Sequence, residues 1–417
     1  MKTGSGTSEH PRSLSPDSVS AEHDGRWEAE IENLRRHGLY RVMPDVDGMP
    51  GRTVTMHGRE VLNFSSNNYL GLAGHPRVIQ ASVDCTQRYG AGSTASRLIA
   101  GNNVPHRELE DLVAGWKQTE AALVFGSGYQ ANVGIITSLT AEHDLIISDR
   151  LNHASLIDGC RLSKAETRVL HHCDADHLEY LLSEAGPRRT LVITESIFSM
   201  DGDEAPLIDI HETCKRRGAM LMVDEAHATG IKGPAGRGLA AELGIIPDIQ
   251  MGTLGKAVGS AGAYAAAEKS VIDILINRAR SFVYTTAPPP GSIGAAMESI
   301  QIIGSKEGEE LRQKLRRNVQ RFGTLLRTEL GTDTNPSHIV PYTIGDSHVA
   351  MEVSALCLDH DVFAHGIRYP TVPEGSARIR FTLMSTHSEN DLARAVTALR
   401  TSINEIEGKH GVPDGGT

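Results

Sequence analysis

MLMVDEAHATGIKGPAGRGLAAELGIIPDIQMGTLGKAVG, residues 220–259, is the stretch that decides the fold. Met220–Val223 is a short apolar run that stops at Asp224, Glu225, His227 and Thr229. Ile249–Met251 is a second, and it stops at Thr253 and Lys256 inside the glycine-rich GTLGKAVG. A run apolar on both alternating faces predicts a strand buried on both sides, the condition of a parallel sheet covered by helices. Working outward, the same unit recurs: strands are expected at Ala122–Phe125, Leu145–Ser148, Thr167–Leu170, Leu191–Thr194 and Ala261–Ala266, most of them separated by helix-length segments. Helices are expected at Pro76–Tyr89 and around Leu109–Trp116. The pattern is α/β with a large, mostly parallel sheet.

Beyond that sheet the pattern changes. Pro290–Leu330 reads as one long helical stretch leading out of the large domain. After it, strands at His338–Ile344 and Ala377–Thr382 alternate with helices at Val349–His360 and Glu389–Ile406, a smaller α+β unit. Upstream, Thr53–Phe64 reads as a hairpin turning at His57–Gly58, preceded by an amphipathic helix over 26–40 closed by Gly38. Residues 1–25 are polar and rich in Ser, Gly and Pro, with no apolar segment of the signal-peptide kind, and are expected to be a disordered tail. The expected division is a tail over 1–25, an N-terminal segment over 26–75, a large domain over 76–300 and a C-terminal small domain over 301–417.

Composition bounds the partners. A net charge of −11 argues against nucleic acid or an anionic membrane surface, both of which select basic faces. No apolar run approaches the length of a membrane span. Five scattered cysteines without CxxC spacing read as reduced thiols, hence a cytoplasmic setting.

Open sheets of this kind bind ligands beyond the carboxyl ends of their strands. After Ala122–Phe125 comes Gly126-Ser127-Gly128-Tyr129 and then a helix start near Gln130, a turn whose free amides and dipole suit a phosphate. After Leu191–Thr194 come Glu195, Ser199 and Asp201. With Asp224, His227, Thr253 and Lys256, ionisable groups gather at one edge of the sheet, which packing alone does not require. Taken singly, each has a bland reading. A lone lysine is a solvated residue, an aspartate after a strand caps a helix, and a histidine such as His153 satisfies itself in a core. The set in this order overturns those readings.

The motifs NFSSNNYLGL, GAGSTASRLIAGN, FGSGYQAN, LNHASLIDG, TESIFSMDGD, VDEAHATG, GTLGKAVG and PTVPEGSARIRFTLMSTH carry a family likeness. From about Asn63 to Ala398 the chain resembles the α-oxoamine synthases, fold-type I enzymes dependent on pyridoxal 5′-phosphate (PLP), which join an amino acid to an acyl thioester with loss of CO2. The resemblance implies that Lys256 carries PLP as a Schiff base and shuttles the substrate proton. Asp224 would pair with the ring nitrogen and keep it protonated, so that the ring accepts electrons. It places His153 against the ring, Ser199 and His227 near the ring hydroxyl, and Thr253 and the amides of Gly128 and Tyr129 on the cofactor. Asn67 and Arg380 would grip the amino-acid carboxylate, with Thr371 lining the substrate site and Glu195 in support. It further implies a homodimer with shared active sites, in which Thr285 or Thr286 reaches the neighbour's phosphate.

Within the family, SRLIAGN, LNHASLIDG, TTAPPP and TLMSTH lean toward the biotin-pathway member that joins alanine to a pimeloyl thioester, carried by coenzyme A or a carrier protein. Ser96 leaves room for alanine or serine where the glycine-using members carry threonine. Asn68, Glu225 and Ala263 depart from common family residues. Other family members use glycine or serine with other acyl chains, and some are non-catalytic subunits, which lack the lysine.

Three further signals carry no site. GAGSTA (Gly90–Ala95) matches a dinucleotide pattern but follows a helix rather than a strand. The His171, His172, Cys173, Asp174, Asp176, His177 cluster matches no zinc spacing, and no metal is expected. Lys215-Arg216-Arg217 reads as an exposed helix end.

Overall fold

The computed structural model describes residues 16–333 and 337–410. Its first helix, Pro16–Arg36, begins upstream of the expected residue 26 and stops short of residue 40. Of the expected disordered tail over 1–25, residues 16–25 belong to this helix, and residues 1–15 lie outside the described residues.

Seven strands form the main sheet, in the order Ala121–Phe125, Ala263–Ala267, Ile249–Thr253, Met220–Asp224, Thr190–Glu195, Leu145–Asp149, Glu166–Leu170. All the strands from Ile249–Thr253 to Glu166–Leu170 pair in parallel. Ala263–Ala267 alone is antiparallel to both of its neighbours. The reason is the connection. Parallel strands need a crossover of a dozen residues or more, and the chain turns back from Thr253 through the short Lys256 loop, closed by a Leu254 N–H to Gly262 carbonyl bond of 2.9 Å. Helices cover both faces. Ile135, Ile136, Leu275 and Phe282 pack on one side of the sheet, and Leu178, Leu207, Ile210 and Leu239 belong to a second buried cluster.

The C-terminal strands Ile339–Gly345, Ala377–Thr382 and His365–Ile367 form a separate antiparallel sheet. The hairpin Thr53–Met56 and Arg59–Asn63 turns through His57 and Gly58, both at positive φ (50° and 75°), the conformation of a two-residue hairpin turn whose twist matches that of the strands. Its second strand is also paired in parallel with Val362–Phe363, which fastens the N-terminal segment to the C-terminal one. The stretch expected as one helix is two, Pro290–Gly304 and Lys306–Leu330. Ser305 leaves the helical conformation (φ −90°, ψ 177°) and its side chain caps Gly308 N. Gly308 is required there, because a Cβ would lie 2.4 Å from the Ile302 and Ile303 carbonyl oxygens.

Candidate active site

The carboxyl ends of four adjacent strands, Leu145–Asp149, Thr190–Glu195, Met220–Asp224 and Ile249–Thr253, bring most of the expected residues together. Two hydrogen-bonded chains organise them. In the first, His153 caps the helix Ala154–Leu162 and its Nδ1 lies 2.8 Å from Ser155 Oγ. Asn132 Nδ2 donates to Ser155 Oγ (2.9 Å) and to Asp224 Oδ2 (2.8 Å), and Ala226 N donates to Asp224 Oδ1 (2.8 Å). The buried Asp224 carboxylate is thus held by two donors that fix its direction. Glu195 Oε1 accepts from His153 N, and Glu195 N donates to Asn152 Oδ1 (3.1 Å). Burial, and then the neighbouring Asp224, push the Glu195 carboxyl well above the usual range.

In the second chain, Lys256 Nζ lies 2.7 Å from His227 Nε2, and His227 Nδ1 lies 2.6 Å from the Tyr69 hydroxyl. Tyr69 reaches Asn67 Oδ1 at 3.1 Å, which in turn receives Arg380 Nη1 and Nη2 at 3.4 and 3.3 Å. Arg380 Nε donates to the Ser199 carbonyl (2.7 Å) and Nη1 to Thr382 Oγ1 (2.8 Å). Burial lowers the Lys256 amine to about 8, with Arg380 adding to the fall and Asp224 and Glu195 opposing it. Burial, and then Lys256, hold the His227 imidazole well below its usual value, so it is neutral. Arg380 is the notable group. It is buried, and among the described residues none of its nitrogens meets a carboxylate; every partner is a neutral oxygen.

Thr253 shapes the lysine loop: its Oγ1 donates to Gly262 O and accepts from Gly255 N, both at 3.2 Å. Gly128 opens the helix Gly128–Leu139, and a Cβ on it would meet Met251 Cε at 3.2 Å. Four further expected residues also stand outside the two hydrogen-bonded chains. Tyr129 is half-exposed and donates to Asp158 Oδ2 (2.8 Å). Thr371 is exposed, and Thr285 and Thr286 lie on the stretch before Pro290, where no hydrogen bond joins them to the two chains among the described residues. The sequence reading missed Asn132 and Tyr69. Both lie inside motifs it quoted (FGSGYQAN and NNYLGL), but nothing in one dimension says which motif residue points inward.

The structure also gives the rejected signals their places. His172 is clamped between Asp149 Oδ1 (3.0 Å) and Asp203 Oδ2 (2.7 Å), using both ring nitrogens, with Cys173 alongside. Burial opposes its charge, but the two carboxylates outweigh it and hold the imidazole up to about 12. Arg216 and Arg217 close the helix Leu207–Arg217 and pair with Glu179. Glu225, beside Asp224, has no part in either chain: it pairs with the buried Lys117 and accepts from Ala240 N (2.9 Å).

A buried carboxylate, an amine of lowered pKa, a glycine-opened helix terminus and a guanidinium without a carboxylate partner together fit PLP and an amino acid. The sheet order with its single reversed strand is that of the fold-type I PLP-dependent transferases. The aminotransferase class I and II family model matches residues 59–399, and the chain belongs to that family. It is 48% identical over 375 residues (89% of this chain, 96% of the relative) to a protein of Geobacter sulfurreducens named 8-amino-7-oxononanoate synthase. A protein of the same name from Anaeromyxobacter dehalogenans is 43% identical over 387 residues, 91% of this chain and 95% of the relative. Among solved structures, serine palmitoyltransferase from S. paucimobilis with bound PLP–myriocin superposes with a TM-score of 0.86 at 27% identity, covering 93% of this chain and 99% of that one. The 8-amino-7-oxononanoate synthase of Francisella tularensis gives 0.71 at 26% identity, covering 83% and 98%.

Proposed function

We propose that this chain is a PLP-dependent α-oxoamine synthase that condenses L-alanine with a pimeloyl thioester to 8-amino-7-oxononanoate, a step of biotin formation. One observation carries the choice of substrates: relatives 43–48% identical over most of the chain bear the name of that activity. The site supports the reaction class. Lys256 is the cofactor's anchor, and Asp224, braced by Asn132, is the acid for its ring nitrogen. Thr253, Gly128 and Tyr129 would hold the phosphate end, and His153, Ser199 and His227 would surround the ring. Bound through Lys256, PLP supplies an electron sink for the negative charge that develops at the amino acid's α-carbon.

The chain's own groups do the rest. Arg380 and Asn67 receive the substrate carboxylate, a planar partner that the guanidinium fork matches. An amine lowered to about 8 is neutral in an appreciable fraction near neutral pH, so Lys256 Nζ can take the α-proton and later return a proton to the product. His227, neutral and held by Tyr69, keeps Nζ in place without adding charge. Thr371, exposed, would line the substrate site. The assembly we propose is a homodimer in a cytoplasmic setting, in which Thr285 or Thr286 completes the neighbour's site. In support, the Ala287 N–H to Ala95 carbonyl bond (3.0 Å) ties this stretch to the segment that carries Leu98 and Ile99, and Leu98, Ile99 and Tyr284 are 50%, 81% and 73% exposed. The division into a large domain over 76–300 and a small one over 301–417 is part of the same reading. No described helix is long and apolar enough to cross a membrane.

Serine palmitoyltransferase is the second reading, favoured by its higher structural similarity. Purified protein with PLP is offered alanine, serine or glycine, each with pimeloyl, palmitoyl or acetyl thioester, and free thiol is measured. Thiol release with alanine and pimeloyl thioester is expected. Release with serine and a long-chain thioester only would replace the assignment, and Lys256→Ala that retains turnover would remove the mechanism.

A further inference from the structure

Beyond holding His227, the Tyr69 phenol stands between two functional groups. It is fully buried, its ring packed edge-on against His338 with centroids 4.4 Å apart. Its hydroxyl touches both His227 Nδ1 (2.6 Å) and Asn67 Oδ1 (3.1 Å). A phenol has one proton and a neutral imidazole has one N–H. Asn67 Oδ1 can only accept. If the phenol proton goes there, His227 must carry its proton on Nδ1 and donate to the Tyr69 oxygen. His227 Nε2 is then bare and accepts from Lys256 Nζ, 2.7 Å away. If the phenol proton turns to His227 Nδ1 instead, the imidazole proton sits on Nε2 and points at Lys256, which can meet it only with the lone pair of a neutral amine. One hydroxyl torsion therefore sets whether Lys256 is held as a donor or as an acceptor.

We propose that Tyr69 is a positioning residue that couples occupancy of the carboxylate subsite at Asn67 and Arg380 to the protonation of Lys256, through the tautomer of His227. The proposal rests on the reading of Lys256 as the cofactor lysine and of Asn67 and Arg380 as the carboxylate grip. The Arg380 contacts to Asn67 Oδ1, at 3.3 and 3.4 Å, are long for charged donors, and a bound carboxylate would replace them. Asn67 then turns its amide N–H groups to the carboxylate, and Tyr69 loses its acceptor. Lys256 gives a proton to His227 Nε2, Nδ1 passes its own to the Tyr69 oxygen, and the phenol's original proton is released to bulk solvent, one proton leaving the protein for each carboxylate bound. His227 and Tyr69 end neutral, and Lys256 ends as the free amine that the reaction needs. The other titratable groups facing this pair are Asp224 and Glu195, which favour the ammonium, and Arg380, His338 and His153, which oppose positive charge there.

The test uses apoprotein without amino acid, to which PLP is added at a series of pH values while the rate of rise of the visible Schiff-base absorbance is followed. Only the free amine reacts, so the pH midpoint of that rate reports Lys256. Removing the phenol oxygen (Tyr69→Phe) or its acceptor (Asn67→Ala) releases the tautomer that accepts from the ammonium. Each is expected to lower the midpoint by about half a pH unit, the effect of one ordinary hydrogen bond. The double variant is expected to shift no further than the larger single one, because both break the same link. A midpoint unmoved by either substitution, or additive shifts, overturns the coupling; a purely structural Tyr69 would lower the melting temperature and leave the midpoint alone. If Tyr69→Phe does not fold, Asn67→Ala decides by itself. A wild-type protein that forms no visible absorbance with PLP would instead sink the Lys256 reading, which keeps the two failures apart.

Discussion

Lys117→Met separates the two neighbouring acids of the DEAH segment. Lys117 and Glu225 side chains are both 0% exposed. The ammonium is held by Glu225 Oε2 and the Arg237 carbonyl, and Glu225 Oε1 also accepts from Ala240 N. Burial opposes the lysine's charge, but Glu225 outweighs it and raises the pKa. Methionine fills much of the same space and removes the charge, leaving a buried carboxylate without its cation. Breaking a buried pair by deleting one partner costs about 3–5 kcal/mol. Unfolding entropy of roughly 2.1 cal/mol/K per residue gives about 0.9 kcal/mol/K for 417 residues, so the apoprotein should melt about 3–6 °C lower. Replacing both partners (Lys117→Met with Glu225→Gln) should recover a large part of that loss, because no charge is then stranded. The assay is thermal unfolding by circular dichroism on the four proteins, with PLP absorbance measured on each at low temperature. Absorbance should survive in all of them, since neither residue touches the two active-site chains. A melting temperature unchanged by Lys117→Met, additive losses in the double variant, or loss of PLP absorbance in the folded single variant would refute the assignment of this pair to the fold.

Three further outcomes follow from the same geometry. Arg380→Lys keeps the charge but loses the fork, and should raise the KM for the amino acid about 10–100-fold with a smaller effect on kcat; steady-state kinetics with varied alanine checks it, and an unchanged KM would remove Arg380 from the carboxylate. Asn132→Ala deprives the Asp224 carboxylate of a charge-assisted donor worth about 1.5–3 kcal/mol and should weaken PLP binding by roughly 10–100-fold on titration of apoprotein; equal affinity would show that Asp224 is oriented without it. The folded His172 imidazole is raised from 6.5 to about 12. Its clamp therefore stabilises in full below about pH 6.5, and the contribution is lost as pH rises toward about 12. The melting penalty of His172→Gln should be largest near about pH 6 and shrink toward about pH 10, and equal penalties at both would contradict the ion pair.

The sheet was legible because its strands are runs of apolar residues with no helical periodicity, and each ends in a polar cluster. Ile249–Thr253 and Met220–Asp224 lie within two residues of their expected limits. What the sequence left open was set by distant contacts. The reversal of Ala263–Ala267 depends on the length of a loop, and the break at Ser305 depends on a glycine packed against carbonyls of the preceding turn. The pairing of Arg59–Asn63 with Val362–Phe363 joins Leu62 to Val362, 300 residues on, and no local pattern encodes it. In the site, residue types with obvious chemistry (Lys256, Asp224, His227) announced themselves, while Arg380 was reached through the family likeness. The residues that hold them, Asn132 and Tyr69, are neutral, and only their burial and hydrogen bonds mark them out.

Asp224 and Glu225 show why composition at a motif is an incomplete guide to chemistry. They are consecutive, both acidic and both buried, yet successive side chains of an extended strand point to opposite faces. Asp224 at the strand's last position therefore turns toward Asn132, while Glu225 turns the other way, toward Lys117. That side is closed by Gly238, where a Cβ would fall within 2.4 Å of all three atoms of the Glu225 carboxylate group. The glycine is there because the carboxylate is, and the extra methylene of glutamate lets one carboxylate span Lys117 and Ala240 N together. The departure from aspartate at this position thus belongs to a buried brace on the far side of the strand, and it leaves Asp224 and its bond to Asn132 where they were.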